Sequence, residues 1–351
     1  MIYIRADANE IIGTGHVMRC LSIANEFRRR GEEVTFIVAD ENSKKSVETK
    51  GFKTVCLHSV WDDLEKEIGS FTNFLKENHV TFLIIDTYYV TEKYLQAVGE
   101  YTKIIYIDDL DICIYPVDML VNYNIYADEL NYHERYRTAG LKTRFMLGCR
   151  YAPLRDEFIN VKREIKENVS DIMITSGGTD RFNVIGKFLD ILEKQDWFKQ
   201  MEYNVILGKF HVHKDVLEER WAGYGNIHFL ENINNMSDYM KKCDIAVTAG
   251  GVTTYELCAC GIPSVMYTLA DNQIGIAKAV SDKRLMPWAG DVRENIDECM
   301  ISVVSHMQML IKNADKRRRV SEKMQELVDG RGCERLVEEI LTFFINNGYE
   351  T

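Results

Sequence analysis

The sequence predicts an α/β chain of two doubly wound domains, each a parallel sheet covered by helices. Three observations predict it. The 351 residues exceed what one ordinary core serves. Short β-branched runs alternate with amphipathic segments from end to end. That alternation also restarts after a charged connecting stretch, as it does when a second sheet begins.

Taken in order, Met1 to Ile4, Val34 to Val38, Phe82 to Ile85 and Lys103 to Ile107 read as buried parallel strands, near-continuous in apolar residues because both faces are covered. After the first, Val17, Leu21 and Ala24 share one stripe of a helix from Val17 to Arg30, and Gly31 is placed to stop it. Asp156 to Asn168 reads as the connection. Beyond it, Ile172 to Thr175, Tyr203 to Leu207, Ile227 to Leu230, Ile245 to Thr248 and Ser264 to Tyr267 repeat the strand signal. Cys333 to Asn346, following Gly330-Arg331-Gly332, reads as a helix folding back across the first domain. The expected boundaries are 1–155 for a domain carrying the catalytic loop, 156–334 for a nucleotide-binding domain, and 335–351 for the returning helix.

Composition narrows the class of partner. The formal charge of −11 argues against nucleic acid and anionic membrane surfaces, which are met by clustered Lys and Arg. The one basic run, Lys316-Arg317-Arg318-Arg319, reads as a solvated helix face. Nine cysteines are scattered without a CxxC pair, so neither a disulfide framework nor a zinc knuckle is indicated. Cys258 and Cys260 read as small packing residues. The opening MIYIRAD lacks a signal-peptide pattern and no run of about 18 apolar residues occurs, so the expectation is a cytoplasmic protein with no membrane span. His211 and His213 alternate within the apparent loop Lys209 to Lys214, yet lack a nearby third ligand. No metal and no cofactor are expected.

Three glycine-rich loops fall where such sheets bind ligands, after strands and ahead of helices. The first is Gly13-Thr14-Gly15-His16. Met18 stands where a dinucleotide fingerprint needs its third glycine, which disfavours that ligand, although Asp40 after the second strand suits a ribose contact. The second is Thr175-Ser176-Gly177-Gly178-Thr179-Asp180. The third is Ala249-Gly250-Gly251-Val252-Thr253-Thr254-Tyr255-Glu256. Glycines let backbone approach an anion, and free N–H groups at a helix start stabilise it without lysine. Glu256, a turn into its helix, is placed to accept from two ribose hydroxyls; a solvated first-turn glutamate is the plain alternative.

The string Ile4-Arg5-Ala6-Asp7 through Ile12-Gly13-Thr14-Gly15-His16-Val17-Met18-Arg19-Cys20 resembles the opening motif of the PseG family, UDP-2,4-diacetamido-2,4,6-trideoxy-β-L-altropyranose hydrolases of pseudaminic acid biosynthesis. Ser176 to Asp180 and Gly250 to Glu256, followed by Gly261-Ile262-Pro263, resemble the family's nucleotide-binding half, shared in outline with MurG-type glycosyltransferases. The resemblance covers nearly the whole chain. It implies a GT-B fold, two Rossmann-like domains with parallel sheets facing across a cleft. The implied reaction is metal-free hydrolysis of a UDP-sugar at the anomeric carbon with inversion, water being the acceptor and a monomer the default.

His16 matches the family's catalytic position. A histidine at a helix N-terminus is also biased toward the neutral form a general base needs. Inverting glycosidases use two carboxylates because an alcohol leaving group needs a proton. A diphosphate does not, so one base and a cradle of amides from Gly251 to Thr253 suffice. Tyr88 and Asp86 close the Phe82 strand, where Tyr88 either orients water or sugar, or serves structure alone. Arg19, Asp86, Gly13, Gly15, Thr253 and Thr254 join the expected substrate contacts through the same loops and strand end. Asn272 and Gln273, in Asp271-Asn272-Gln273, resemble the sugar-facing loop, with helix capping as the alternative. Two rival functions share these loops: a GT-B glycosyltransferase of cell-surface or spore-coat polysaccharide, and a non-catalytic nucleotide-sugar binding subunit.

Overall fold

The structure, a computed structural model, describes residues 1–9, 11–208, 210–231, 233, 235–346 and 348. It divides into two compact units, one formed by Met1–Arg155 with the chain from Arg331 onward, the other by Asp156–Gly330.

The first unit holds a seven-stranded, all-parallel sheet of β1 (Ile2–Ala6), β2 (Val34–Val38), β3 (Lys53–Cys56), β4 (Phe82–Asp86), β5 (Lys103–Ile107), β6 (Met119–Asn122) and β7 (Arg144–Leu147). The spatial order is β3-β2-β1-β4-β5-β6-β7. Direction of winding therefore reverses between β1 and β4, and a sheet of this kind opens a crevice at the carboxyl ends of those two strands. Ala6 sits opposite Asp86 in the register there. Ile37, Phe71, Leu83, Ile85, Leu95 and Leu120 belong to the core on one face.

The second unit repeats the plan with six parallel strands, β8 (Asp171–Thr175), β9 (Glu202–Ile206), β10 (Ile227–Leu230), β11 (Ile245–Ala249), β12 (Ser264–Thr268) and β13 (Trp288–Asp291). Their order is β10-β9-β8-β11-β12-β13, so here the reversal lies between β8 and β11. Both glycine loops of this unit leave from that pair.

The last helix, Gly332–Asn346, packs within the first unit: Phe344 stacks on Phe82, Glu339 pairs with Arg144, and Cys333 Sγ donates to Leu154 O at 3.4 Å. Its glycine is obligatory, because a Cβ on Gly332 would lie 2.0 Å from Ala152 O. Strands β3, β6, β7 and β13 were not expected. Three of these are sheet edges, where half-exposed residues such as Lys53 and Gly290 erase the apolar run. The basic run is also not uniformly solvated. Arg317 is buried and donates to the carbonyls of Leu310, Ile311, Lys166 and Glu167, capping a helix end and pinning the connection. Among the described residues, no helix is long and apolar enough to cross a membrane.

Candidate functional site

His16 is the second residue of the helix Gly15–Arg29, which a loop joins to the end of β1 at Ala6. The approach is a closed loop: Gly13 N donates to Asn9 O at 2.8 Å, and Asn9 Oδ1 accepts from Ile11 N and Ile12 N. Gly13 has φ of +73°, which glycine adopts without strain. Among the described residues the helix start has no side-chain cap, and its first turn carries no acidic residue, so its N–H groups stay available to an anion.

The histidine is 4% exposed, and its surroundings are ionic rather than apolar. His16 Nδ1 lies 2.6 Å from Asp86 Oδ1, and the ring meets Tyr88 edge-on with centroids 4.4 Å apart. Arg19 Nη2 also stands 3.1 Å from Nδ1, but the charged carboxylate is nearer and favours the ring proton on Nδ1, with the lone pair left on Nε2. Among the described residues, nothing hydrogen-bonds Nε2. The carboxylate that orients the ring comes from a residue 70 positions along the chain and was not expected as its partner.

Asp86 and Arg19 differ from expectation. Both were expected to meet substrate, but Asp86 is fully buried and Arg19 is 5% exposed. Arg19 Nε donates to Asp86 Oδ2 at 2.5 Å and Nη2 to Asp86 Oδ1. Nη1 donates to Asp109 Oδ2 at 2.5 Å and to Tyr123 Oη. Burial pushes the Asp86 carboxyl up, but Arg19 and then His16 outweigh it and hold the group well below the usual carboxylate range. These two residues thus form the floor beneath the histidine. Asp109, which the sequence reading passed over, braces both Arg19 and the Tyr88 hydroxyl, the latter at 3.4 Å. Its signal is a doubled acid, Asp108-Asp109, ending the next strand.

The motif residues Arg5 and Asp7 have a structural part. Arg5 is fully buried and is clasped by Glu67 Oε1 at 2.9 Å and Asp7 Oδ2 at 2.5 Å, while Tyr94 Oη donates to Glu67. The Asp40 side chain accepts from Ser43 N at 2.8 Å and caps the helix Glu41–Glu48.

In the second unit the two glycine loops are built differently. The loop after β8 does not open a helix at once: the helix Val184–Leu192 begins eight residues past Ser176, and Asp180 takes its Val184 and Ile185 amides. Those donors are spent. The loop itself is held by Phe210 N on Gly178 O and Val212 N on Thr179 O, both at 3.1 Å. Gly177 and Gly178 face open space, and Ser176 Oγ is buried without a hydrogen-bond partner among the described residues. Such an orphan hydroxyl costs free energy unless a ligand or water meets it. His211 points its Nε2 to within 3.3 Å of Asp180 and gathers no metal cluster with His213 among the described residues; Lys209 lies outside those residues.

After β11 the helix Thr253–Cys260 starts without a side-chain cap. Gly250 N is bonded to Tyr267 O and Gly251 N to Thr254 Oγ1, whereas Val252 N and Thr253 N have no partner among the described residues. Glycine suits position 250, since a Cβ there would press on Gln273 Cβ at 3.1 Å and Met266 Sδ at 3.3 Å. Glu256 is half-buried in the helix's first turn. Gln273 Oε1 accepts from Leu269 N at 2.9 Å, so that oxygen closes its own loop, while Asn272 is exposed. Neither Asp271 nor Asn272 caps the helix; Asp271 pairs with Arg293.

Comparison with known proteins accords with this architecture. Residues 172–326 match the glycosyltransferase family 28 C-terminal domain. The two sheets match GT-B glycosyltransferase structures: MurG of Acinetobacter baumannii superposes with a TM-score of 0.69 at 12% identity, covering 97% of this chain and 99% of that one. Among curated relatives, the uncharacterized protein MJ1062 of Methanocaldococcus jannaschii is 31% identical over 76% of this chain and 55% of its own length. The spore coat polysaccharide biosynthesis protein SpsG of Bacillus subtilis is 24% identical over 55% of this chain and 57% of that protein. The UDP-2,4-diacetamido-2,4,6-trideoxy-beta-L-altropyranose hydrolase of Campylobacter jejuni is 28% identical over 52% of this chain and 62% of that protein. The chain thus spans roughly half the length of the curated relatives it matches.

Proposed function

We propose that this protein hydrolyses a UDP-activated diacetamido sugar at its anomeric carbon with inversion. The product would be a free sugar for pseudaminic or a related nonulosonic acid, made in the cytoplasm. The observation that carries this reading is the His16–Asp86 pair at 2.6 Å with Nε2 left without a partner among the described residues. His16 Nε2 takes a proton from water as the water oxygen bonds to C1, and the bond from C1 to the β-phosphate oxygen breaks. Asp86 stays ionised throughout and stabilises the imidazolium that forms, as carboxylates do behind catalytic histidines. No acid is required, because UDP leaves as an anion.

The nucleotide is assigned to the second unit. Val252 and Thr253 amides meet the diphosphate at the positive end of their helix, Glu256 accepts from the ribose hydroxyls, and Ser176, Gly177 and Gly178 supply further contacts. Tyr88 positions water or sugar, and Asn272 reads the sugar's polar groups. The name of the Campylobacter jejuni relative supports this reading.

A second reading, transfer of the sugar to a saccharide acceptor, is favoured by the family 28 match and by SpsG. One assay separates them. UDP release from a panel of UDP-diacetamido and UDP-N-acetyl sugars is followed in oxygen-18 water. Hydrolysis by this route puts label in the sugar. Label in UDP overturns the mechanism, and release that waits on an added acceptor favours transfer. A binding subunit would show no turnover at all, and His16→Ala would then change nothing.

A further inference from the structure

At the carboxyl edge of the first sheet, two strands away from the β1–β4 reversal, Glu41, Cys56 and His58 converge, their ligating atoms all within 4.8 Å of one another. We propose that these three side chains form an accessory site for a thiophilic divalent cation of the zinc class, at a place in the fold separate from the proposed chemistry.

Each residue arrives by a different backbone route. Cys56 is the last residue of β3. His58 follows with φ of +52°, a left-handed conformation that costs a non-glycine residue about 1 kcal/mol or more. It is held there from both sides, since Leu57 N donates to Val38 O and Ser59 N to Ala39 O. Glu41 opens the helix that follows β2, fixed by the Asp40 cap one residue earlier.

The chemistry of the set is that of a metal site. Around a tetrahedral zinc, with about 2.3 Å to sulfur and about 2.0 Å to nitrogen, those two ligands stand about 3.5 Å apart. Cys56 Sγ and His58 Nδ1 are 3.5 Å apart. Glu41 Oε1 lies 3.9 Å from Nε2, the ring's other nitrogen, and the Glu41 and His58 side chains are 61% and 74% exposed, so the carboxylate is free to swing toward the Nδ1 side, the ligating atoms of all three residues lying within 4.8 Å of one another. One thiolate, one imidazole and one carboxylate leave a fourth position for water, and the sulfur selects zinc-like ions over magnesium or calcium. No local spacing pairs Glu41 with residues fifteen and seventeen positions later, so the set forms no metal motif along the chain.

The site has a route to the first glycine loop. Ser43, in the first turn of the same helix, exchanges hydrogen bonds with Ala8 at 3.1 and 3.2 Å, next to Asn9 of that loop. A bound ion therefore clamps the end of β3 to the turn that supports the approach to His16.

The test is a cobalt(II) titration of the full chain in its reduced state. The expected result is a thiolate-to-cobalt charge-transfer band saturating at one ion per chain, displaced by zinc. Cys56→Ser removes the band, Cys113→Ser keeps it, and His58→Gln and Glu41→Gln each weaken binding at least about tenfold. All four positions are at least partly exposed, so circular dichroism of the metal-free variants should match wild type. Absence of the band in wild type, its persistence in Cys56→Ser, or unchanged affinity in His58→Gln overturns the site.

Discussion

Replacing Asp86 by Asn keeps the size of the side chain and removes the charge on which His16 and Arg19 converge. In the native site Oδ1 lies 2.6 Å from His16 Nδ1 while Arg19 Nε reaches Oδ2 at 2.5 Å. An amide has one oxygen and one NH2. With the oxygen turned to the guanidinium fork, the NH2 faces the histidine, and Nδ1 must then accept rather than donate. The ring proton moves to Nε2, so the lone pair faces away from the substrate. Loss of the carboxylate behind a catalytic histidine costs about 10⁴-fold in kcat elsewhere, or about 5 kcal/mol of barrier. Folding suffers separately. Removing one member of a buried ion pair costs about 3–5 kcal/mol, and the lower end is expected because Arg19 keeps Asp109 and Tyr123. The assay is kcat and KM for UDP release beside nitrogen-15 NMR of His16, which reads the tautomer without substrate. The expected result is kcat down about a thousandfold or more with KM near wild type and an Nε2–H ring. A folded variant with kcat within about tenfold of wild type, or with an unchanged tautomer, refutes the reasoning.

Further outcomes follow from the same structure. Glu256→Ala should weaken UDP binding about tenfold to a hundredfold by calorimetry, the worth of hydrogen bonds to a charged group, with little change in melting temperature. Gly250→Ala pushes a methyl against Gln273 and Met266 and should cost about 1–3 kcal/mol in denaturant unfolding while also weakening UDP. Arg317→Ala strips four carbonyls of their donor and should lower stability by about 3 kcal/mol, read from the same unfolding curves. Acid should also destabilise the first unit. Asp86 has a depressed folded pKa, so its contribution is complete above the ordinary carboxylate pKa near 4 and fades as pH falls below it, because the unfolded chain takes up the proton first. In Asp86→Asn the fall in stability between about pH 5 and pH 2 should be shallower.

The glycine loops and His16 were legible because each is local. A loop between a strand and a helix announces itself by residues that sit side by side in the chain. What surrounds the histidine was not legible in the same way. Asp86 was named from its strand end but assigned to substrate, because burial and the fork of Arg19 are set by β1 and β4 lying side by side. Asp109 was missed for the same reason, and Arg317 was read from charge alone as solvated. The Ser176 loop looked like a helix opening until Asp180, four residues on, proved to hold the helix amides.

The sequence by itself determined that strands and helices alternate, that the pattern runs twice, and that flexible backbone precedes a histidine on one side and a glutamate on the other. These follow from periodicity and from glycine's freedom, which act over a few residues. Tertiary structure alone decided which strand adjoins which, and hence which charges meet. An ion pair between residues 67 apart, like Arg19 with Asp86, leaves no trace in either residue's neighbourhood along the chain. Its strength comes from exclusion of water, which exists only once the sheet has closed around it.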